Sequence, residues 1–403
     1  MSLLLSSIFD GISIGSVLLI AALGLAVVFG LMGVINLAHG ELIMLGAYTT
    51  FVVQNVFKPL GEPWFSLYIF VALPLAFLVS GLIGLALERG IIRYLYGRPL
   101  ETLLATWGVS LILQQFVRSV NGLLSIALVS FALLFWGGLW FVRRRPDGNQ
   151  LKTKAIAVLL PLSLAIAGVI GLLIYQSRQT ALITPWFSAR NVDVTAPAWL
   201  KGGLPLGDFQ VPYIRLFIIV LTVLCVLGTY WFLNKSSWGL RIRSVMQNRT
   251  MSACLGIPTE KVDALTFALG SGLAGIAGCG ISFLGSVGPN TGQNYIVDTF
   301  MVVVVGGVGN LLGTIVAALA IGVINYLVIV GSSSFAVFLA STQTVGAGFV
   351  PQFQAATGID LVEFFNFFAT TSMAKVIVFI LIITFLQIKP AGLFPQKGRT
   401  AEL

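Results

Sequence analysis

The chain has 403 residues, 57% of them hydrophobic and 9% charged, with a mean hydropathy of +0.99. Soluble proteins carry about 25% charged residues, so the composition excludes a soluble fold, and the lack of short alternating strands excludes a transmembrane β-barrel. The net charge of +9 lies in short clusters at the ends of apolar runs, where membrane topology explains it without any nucleic acid.

Apolar runs of 18 residues or more recur along the chain, each long enough to cross the hydrocarbon layer. They predict an all-α integral membrane protein: a single polytopic helical bundle over 1–403, with about nine spans plus one re-entrant or broken-helix unit. The three cysteines, Cys225, Cys254 and Cys279, form no CxxC pair and suggest neither a disulfide framework nor a metal site. The N-terminal segment has no basic n-region and runs straight into a full span, so a cleaved signal peptide is not expected.

The first span, about Ile8 to Gly30, carries Gly11 and Gly15 at the spacing that lets two helices approach closely. Leu31 to Phe57 holds Asn36, His39 and Glu41 in an otherwise apolar passage. A span from about Ser66 to Leu87 follows, and Arg89, Arg93 and Arg98 mark a cytoplasmic end. Leu100 to Val120 and Leu123 to Val142 read as an up-and-down pair. The cluster Arg143, Arg144, Arg145, Lys152 and Lys154 is again cytoplasmic, and Ala155 to Tyr175 returns outward. Residues 123–175 thus add a pair of spans, and 176–212 form a polar extracytoplasmic segment.

Tyr213 to Leu233 leads in to a long basic loop, 234–263. Lys235, Arg241, Arg243, Arg249 and Lys261 outweigh Glu260 and Asp263, which places the loop in the cytoplasm. Ile242, Val245 and Met246 repeat at helical spacing, Gly256 before Pro258 reads as a helix stop, and Thr259 reads as the next N-cap. A short amphipathic helix between two spans suits docking on a cytoplasmic motor. The competing reading is a solvated basic turn that only sets topology.

Ala264 to Leu284 goes outward, and SVGPNTGQNYIVD reads as a polar turn. Thr299 to Val330 is too long for one crossing and too short for two, and its middle, Gly306 to Gly313, reads as a break. Gly331 to Ser372 has no Lys or Arg and is placed outside. The last span brings Lys389, Lys397 and Arg399 into the cytoplasm, which leaves the N-terminus outside.

Gly270, Gly272 and Gly275 match a dinucleotide fingerprint, but that motif needs a strand before it, and here the glycines lie inside an apolar span. They read as helix-packing positions. No Gly-Lys dipeptide occurs, so the chain has no P-loop and no ATP site of that kind. His39 is the lone histidine, with no further ligands spaced for zinc. An ionisable group at membrane depth is costly and is by default a functional candidate, although a hydrogen-bonded node holding a helix break would use the same residues. Asn310 occupies a similar glycine-flanked position in the second half. The interruptions at Gly33–Gly40 and Gly306–Gly313 therefore point to a solute path through Asn36, His39, Glu41 and Asn310. Asp298, at the mouth of the second passage, is a weaker candidate. No catalytic group and no cofactor is expected.

The passages GLMGVINLAHGELIMLGAYT, NRTMSACLGIPTEKVDALTFALGSGLAGIAG and VDTFMVVVVGGVGNLLGTIVAALAIG resemble the permeases of branched-chain amino-acid and urea ABC importers. In detail they look most like the first permease subunit of the urea systems. The resemblance implies a bacterial inner-membrane, multi-pass transport subunit that is not itself an enzyme. It also implies a second homologous permease, two cytoplasmic ATPases and an extracytoplasmic solute-binding protein as partners. The family's coupling element aligns with Thr250-Met251-Ser252-x-x-x-Gly256, so Arg241, Arg243, Asn248, Arg249 and Gly256 become the expected coupling residues; only the glycine of the usual pattern is kept. Scarce charge within the spans favours urea or a similar neutral amide as solute. An amino acid is the alternative, and a stand-alone channel or secondary carrier is the reading from another class.

Overall fold

The structure is a computed structural model that describes residues 2–143, 148–176, 186, 190–206, 209–344 and 361–394. Two compact units emerge: Met1–Ser110 with Asp193–Leu403, and Leu111–Val192.

The larger unit is built on α1 (Ser2–Met32), α2 (His39–Phe57), α3 (Trp64–Gly90) and the first half of α4 (Pro99–Ser119). After the second unit come β1 (Gly203–Leu206) and β2 (Phe209–Pro212), an antiparallel hairpin with Leu204 opposite Val211. The helices α7 (Tyr213–Lys235), α8 (Ser237–Gln247), α9 (Arg249–Cys254), α10 (Thr259–Ile281), α11 (Thr291–Gly306), α12 (Leu311–Thr344), α13 (Leu361–Phe368) and α14 (Thr371–Ile388) complete it. The smaller unit holds the end of α4 with α5 (Gly122–Arg143) and α6 (Gly148–Gln176).

Among the described residues seven helices, α1, α3, α4, α6, α7, α10 and α12, are long and apolar enough to cross a bilayer alone, and α13 with α14 forms a pair bent by 70°. With α2, α5 and α11 this is the polytopic all-α bundle that hydropathy predicts; the bent pair lies after residue 360, whereas at the expected break, Gly306–Gly313, α11 ends and α12 begins. Two local expectations are corrected. The polar passage after α10 is a turn only as far as Asn290; from Thr291 it is already α11. Thr259 is the first residue of α10, and Pro258 holds the N-cap position.

At the centre α1, α2 and α10 pack backbone to backbone. Lipid tails are as apolar as leucine, so helix association in a membrane relies on close van der Waals fit, and small residues permit it. A Cβ at Gly24 would collide with the Gly270 carbonyl oxygen, and one at Gly275 with that of Ala76 while lying 2.7 Å from Ser80 Oγ. At Gly272 it would meet the Phe77 ring at 2.5 Å. Gly11 and Gly15 seat α1 on α12, where a Cβ would stand 2.7 Å from Val323 Cα and 2.9 Å from the Ala318 oxygen respectively. Ile20, Leu23, Phe267 and Ala274 are fully buried around these crossings.

The ends of the larger unit can be told apart. Met32, Ile92 and Tyr96 pack together, Arg93 bonds Glu260 at 2.5 Å, and Leu393 N donates to Val305 O at 2.8 Å. The segments rich in Lys and Arg before α4 and around α8 therefore gather at one end, with the turn from α11 to α12 and the chain after α14. That end carries the excess of Lys and Arg that the positive-inside bias associates with the cytoplasm. At the other end the segment before the hairpin is pinned on α2 and α3: Tyr68 donates to Thr195 O at 2.7 Å, Thr195 N to Gln54 at 3.2 Å, and Trp199 Nε1 to Ser66 O at 2.9 Å. The rest of the 176–212 passage lies largely outside the described residues, as do Arg144, Arg145, Lys397 and Arg399. The stretch after Gly331 does not leave the bundle at once, because α12 runs unbroken to Thr344; residues 345–360 lie outside the described set.

In the smaller unit Asn121 Oδ1 caps α5 by accepting from Leu124 N at 2.7 Å. Leu133, Trp136, Leu162 and Leu172 are exposed along α5 and α6, the surface of a lipid-facing hairpin.

Candidate functional site

The polar residues at the start of α2 sit in the interior of the bundle. Gly33, at φ +67°, turns the chain out of α1, and its N–H still bonds Phe29 O at 3.0 Å. Residues 33–38 then climb back alongside α1, so α2 begins beside Ala21 and Gly24. Gly24 abuts Gly270, about three turns in from the Thr259 end of α10. Half-helices of this kind are tolerated only where protein surrounds them.

Asn36, His39 and Glu41 are each 1% exposed or less. Asn36 Oδ1 accepts from Ala38 N at 3.0 Å, which closes the turn into α2. His39 Nε2 donates to the Ala21 carbonyl at 3.1 Å and so carries the proton; Nδ1 is an acceptor with no partner among the described residues. Glu41 Oε1 accepts from Ser110 Oγ at 2.9 Å, and Leu37 N donates to Thr106 Oγ1 at 3.2 Å. Thr106 and Ser110 are not among the residues expected above. Their signal was available: Thr102, Thr106, Ser110 and Gln114 repeat every four residues and make one polar face on α4.

A second half-helix start meets the first. Thr291 Oγ1 accepts from Gly288 N at 2.8 Å at the head of α11, and a Cβ on Gly292 would lie 2.6 Å from the Gly40 carbonyl. The N-termini of α2 and α11 thus face each other beside Glu41. Each brings backbone N–H groups and the positive end of a helix dipole. Together they bring a carboxylate and a partial positive charge to one point, although turn carbonyls already take the N–H groups of His39, Glu41, Thr291 and Asn294.

Asn310 is not brought to this cluster. It is half-buried at the Lys- and Arg-rich end, where its Oδ1 accepts from Leu312 N at 3.1 Å and Gly313 N at 3.3 Å, and its Nδ2 donates to Phe394 O at 3.3 Å. It caps α12. Asp298, midway along α11, pairs instead with Lys375 of α14 at 2.8 Å.

The basic loop is folded. Ser236 caps α8 by accepting from Gly239 N at 2.9 Å, and Asn248 caps α9 by accepting from Met251 N at 2.9 Å. Ile242 and Val245 are buried on Val262, with Phe232, Trp238, Met246 and Ile257 around them. Gly256 ends α9 at φ +80° with open space where a Cβ would be, so the glycine answers a backbone need and no crowding. Arg241 stacks on Trp238 at 4.9 Å and Arg243 donates to Asn234 at 3.3 Å, both local contacts. Arg249 pairs with Asp263 at 2.7 Å and covers the Tyr96 ring at 4.8 Å. Burial, then the neighbouring Asp263 and Glu88 carboxylates, hold the Tyr96 hydroxyl above its usual range, so it stays a donor. On the outer side of α9, Met251 and Leu255 are 58% and 75% exposed, and Cys254 is exposed between them.

The sequence profile of a family described as "Branched-chain amino acid transport system / permease component" matches residues 7–386. A high-affinity branched-chain amino acid transport system permease protein, LivH of Escherichia coli K12, is 25% identical over 80% of this chain and 85% of its own length. BraD of Pseudomonas aeruginosa, of the same description, is 26% identical over 79% of this chain and 84% of its own. The ribose import permease RbsC of E. coli is 26% identical over 45% of this chain and 63% of its own. No solved structure gives a significant match.

Proposed function

From the premise that the chain belongs to the branched-chain amino acid permease family, a multi-pass membrane subunit of ABC importers and not an enzyme, we propose that it passes an amino acid through the cluster at the heads of α2 and α11. One observation carries this reading: the two half-helix N-termini meet next to the buried Glu41 carboxylate. A zwitterion needs both signs of partner once it leaves water. Helix N-termini suit its carboxylate, and Glu41 suits its ammonium group. Asn36, His39 and Ser110 add neutral donors and acceptors. Gly40 and Gly292 are in backbone contact, so solute moves only when α2 and α11 part.

The energy for that step comes from outside the chain. We assign the work to two cytoplasmic ATPases that seat on the exposed apolar side of α9. A second homologous permease completes the membrane part, and an extracytoplasmic binding protein delivers the solute. ATP-driven closure then shifts the balance between inward-facing and outward-facing arrangements, by the motor's unequal affinity for the two.

The second reading, urea or another small neutral amide, is favoured by the neutral groups of the cluster. Uptake into proteoliposomes holding the full complex separates the two. Labelled leucine should accumulate with ATP and the binding protein, undiminished by excess urea. Leucine exclusion with urea uptake would support the second reading, and solute flux through the purified chain alone, without ATP, would contradict both.

A further inference from the structure

The basic loop meets the spans through the cluster of Ile242, Val245 and Val262 and through Arg249, whose tie leads inward along α4. Arg249 opens α9. Its guanidinium edge meets Asp263 on α10 at 2.7 Å while its face covers the Tyr96 ring at 4.8 Å. Tyr96 lies in the short passage between α3 and α4, and its hydroxyl donates to Glu88 of α3 at 3.4 Å. Beyond it, the Thr102 hydroxyl is shared between Leu95 O at 3.0 Å and Arg98 O at 2.8 Å, which joins that passage to the first turn of α4. One turn on, Thr106 holds Leu37 N; one more, Ser110 holds Glu41. Helix α4 is therefore a rod with Arg249 at its foot and the buried cluster along its side.

We propose that Arg249 is a positioning residue that carries movement of α9 through Tyr96 and α4 to the start of α2. This rests on the reading above, in which a motor pushes on α9, and adds the route. The chemistry calls for arginine. A planar guanidinium can bond a carboxylate with its edge and stack on a ring with its face at once, which a lysine ammonium cannot. Asp263 is 5% and Glu88 1% exposed, so a cation at this place also offsets buried negative charge that α9 would otherwise leave behind as it moves. Among the described residues, Arg241 stacks on Trp238 of α8 and Arg243 bonds Asn234 of α7, contacts local to the loop.

The test measures solute moved per ATP hydrolysed in the complete importer in proteoliposomes. Arg249→Lys and Tyr96→Leu should each lower that ratio about tenfold, within the usual range of coupling between sites. The double variant should be no worse than either alone, because both break the same step. Tyr96→Phe, which keeps the ring under the guanidinium, should restore the ratio. A normal ratio in Arg249→Lys and Tyr96→Leu overturns the proposal. So does loss of the ATPases from the Arg249→Lys complex, which would make Arg249 a docking contact. Failure of the broader reading is distinct: the wild-type complex would then move solute without hydrolysis.

Discussion

Gly275→Ala should destabilise the folded permease by about 1–3 kcal/mol, the range for an over-packed interior. The added Cβ would strike the Ala76 carbonyl oxygen of α3 and come within 2.7 Å of Ser80 Oγ. Ser80 itself donates to Leu42 O at 3.0 Å, so it cannot yield without giving up the bond that ties α3 to α2. Backbone cannot swing aside as a side chain can, and the helices must separate. Gly280, five residues on in the same helix, is the control, because a Cβ there meets nothing within 4 Å. Gly280→Ala should be neutral or slightly stabilising, through the lower entropy of the unfolded chain. The unfolding midpoint and monodisperse yield of the two purified variants check this. Equal values would mean that α3 and α10 do not touch as described.

The second large effect is electrical. Asp298 on α11 and Lys375 on α14 form an ion pair within the bundle, 11% and 35% exposed at the side chain. Removing one partner of a buried pair costs about 3–5 kcal/mol, because it strands the other charge. Lys375 is a third exposed, so the lower part of that range is expected. Asp298→Ala or Lys375→Ala should therefore abolish most uptake and lower the unfolding midpoint together. Asp298→Lys with Lys375→Asp should recover much of both. No recovery in the exchanged pair, or no loss in either single variant, would remove the pair from the support of α11.

What the sequence disclosed, and what it hid, follows from the range of the contacts. Gly33, Asn36 and His39 announced a helix break because glycine, asparagine and histidine stand out locally against an apolar run. The loop 234–263 was legible as a folded basic element for the same reason: caps and periodicity are short-range signals. The head of α11 was not. Thr291 to Asp298 reads as polar turn until Gly40 of a distant segment is seen against Gly292 and Lys375 against Asp298. The Arg249–Asp263–Tyr96 contact joins three separate stretches and leaves no trace in spacing. Asn310 shows the reverse error of pattern. A glycine-flanked asparagine resembles the Asn36 passage, yet its neighbours in space make it a helix cap. The solute lies beyond the fold altogether, since permeases matching this chain bear both amino-acid and sugar names.

Coupling to cytoplasmic ATPases requires α8 and α9 to face the cytoplasm, where ATP is. Cys254 is exposed on α9, whereas Cys225 and Cys279 are buried, so the native protein carries its own probe. In cells that make the chain without its ATPases, which would otherwise cover this face of α9, a membrane-impermeant maleimide should label Cys254 in inside-out vesicles and leave it untouched in intact cells, with the label lost in Cys254→Ser. Labelling of Cys254 from outside intact cells would contradict the account.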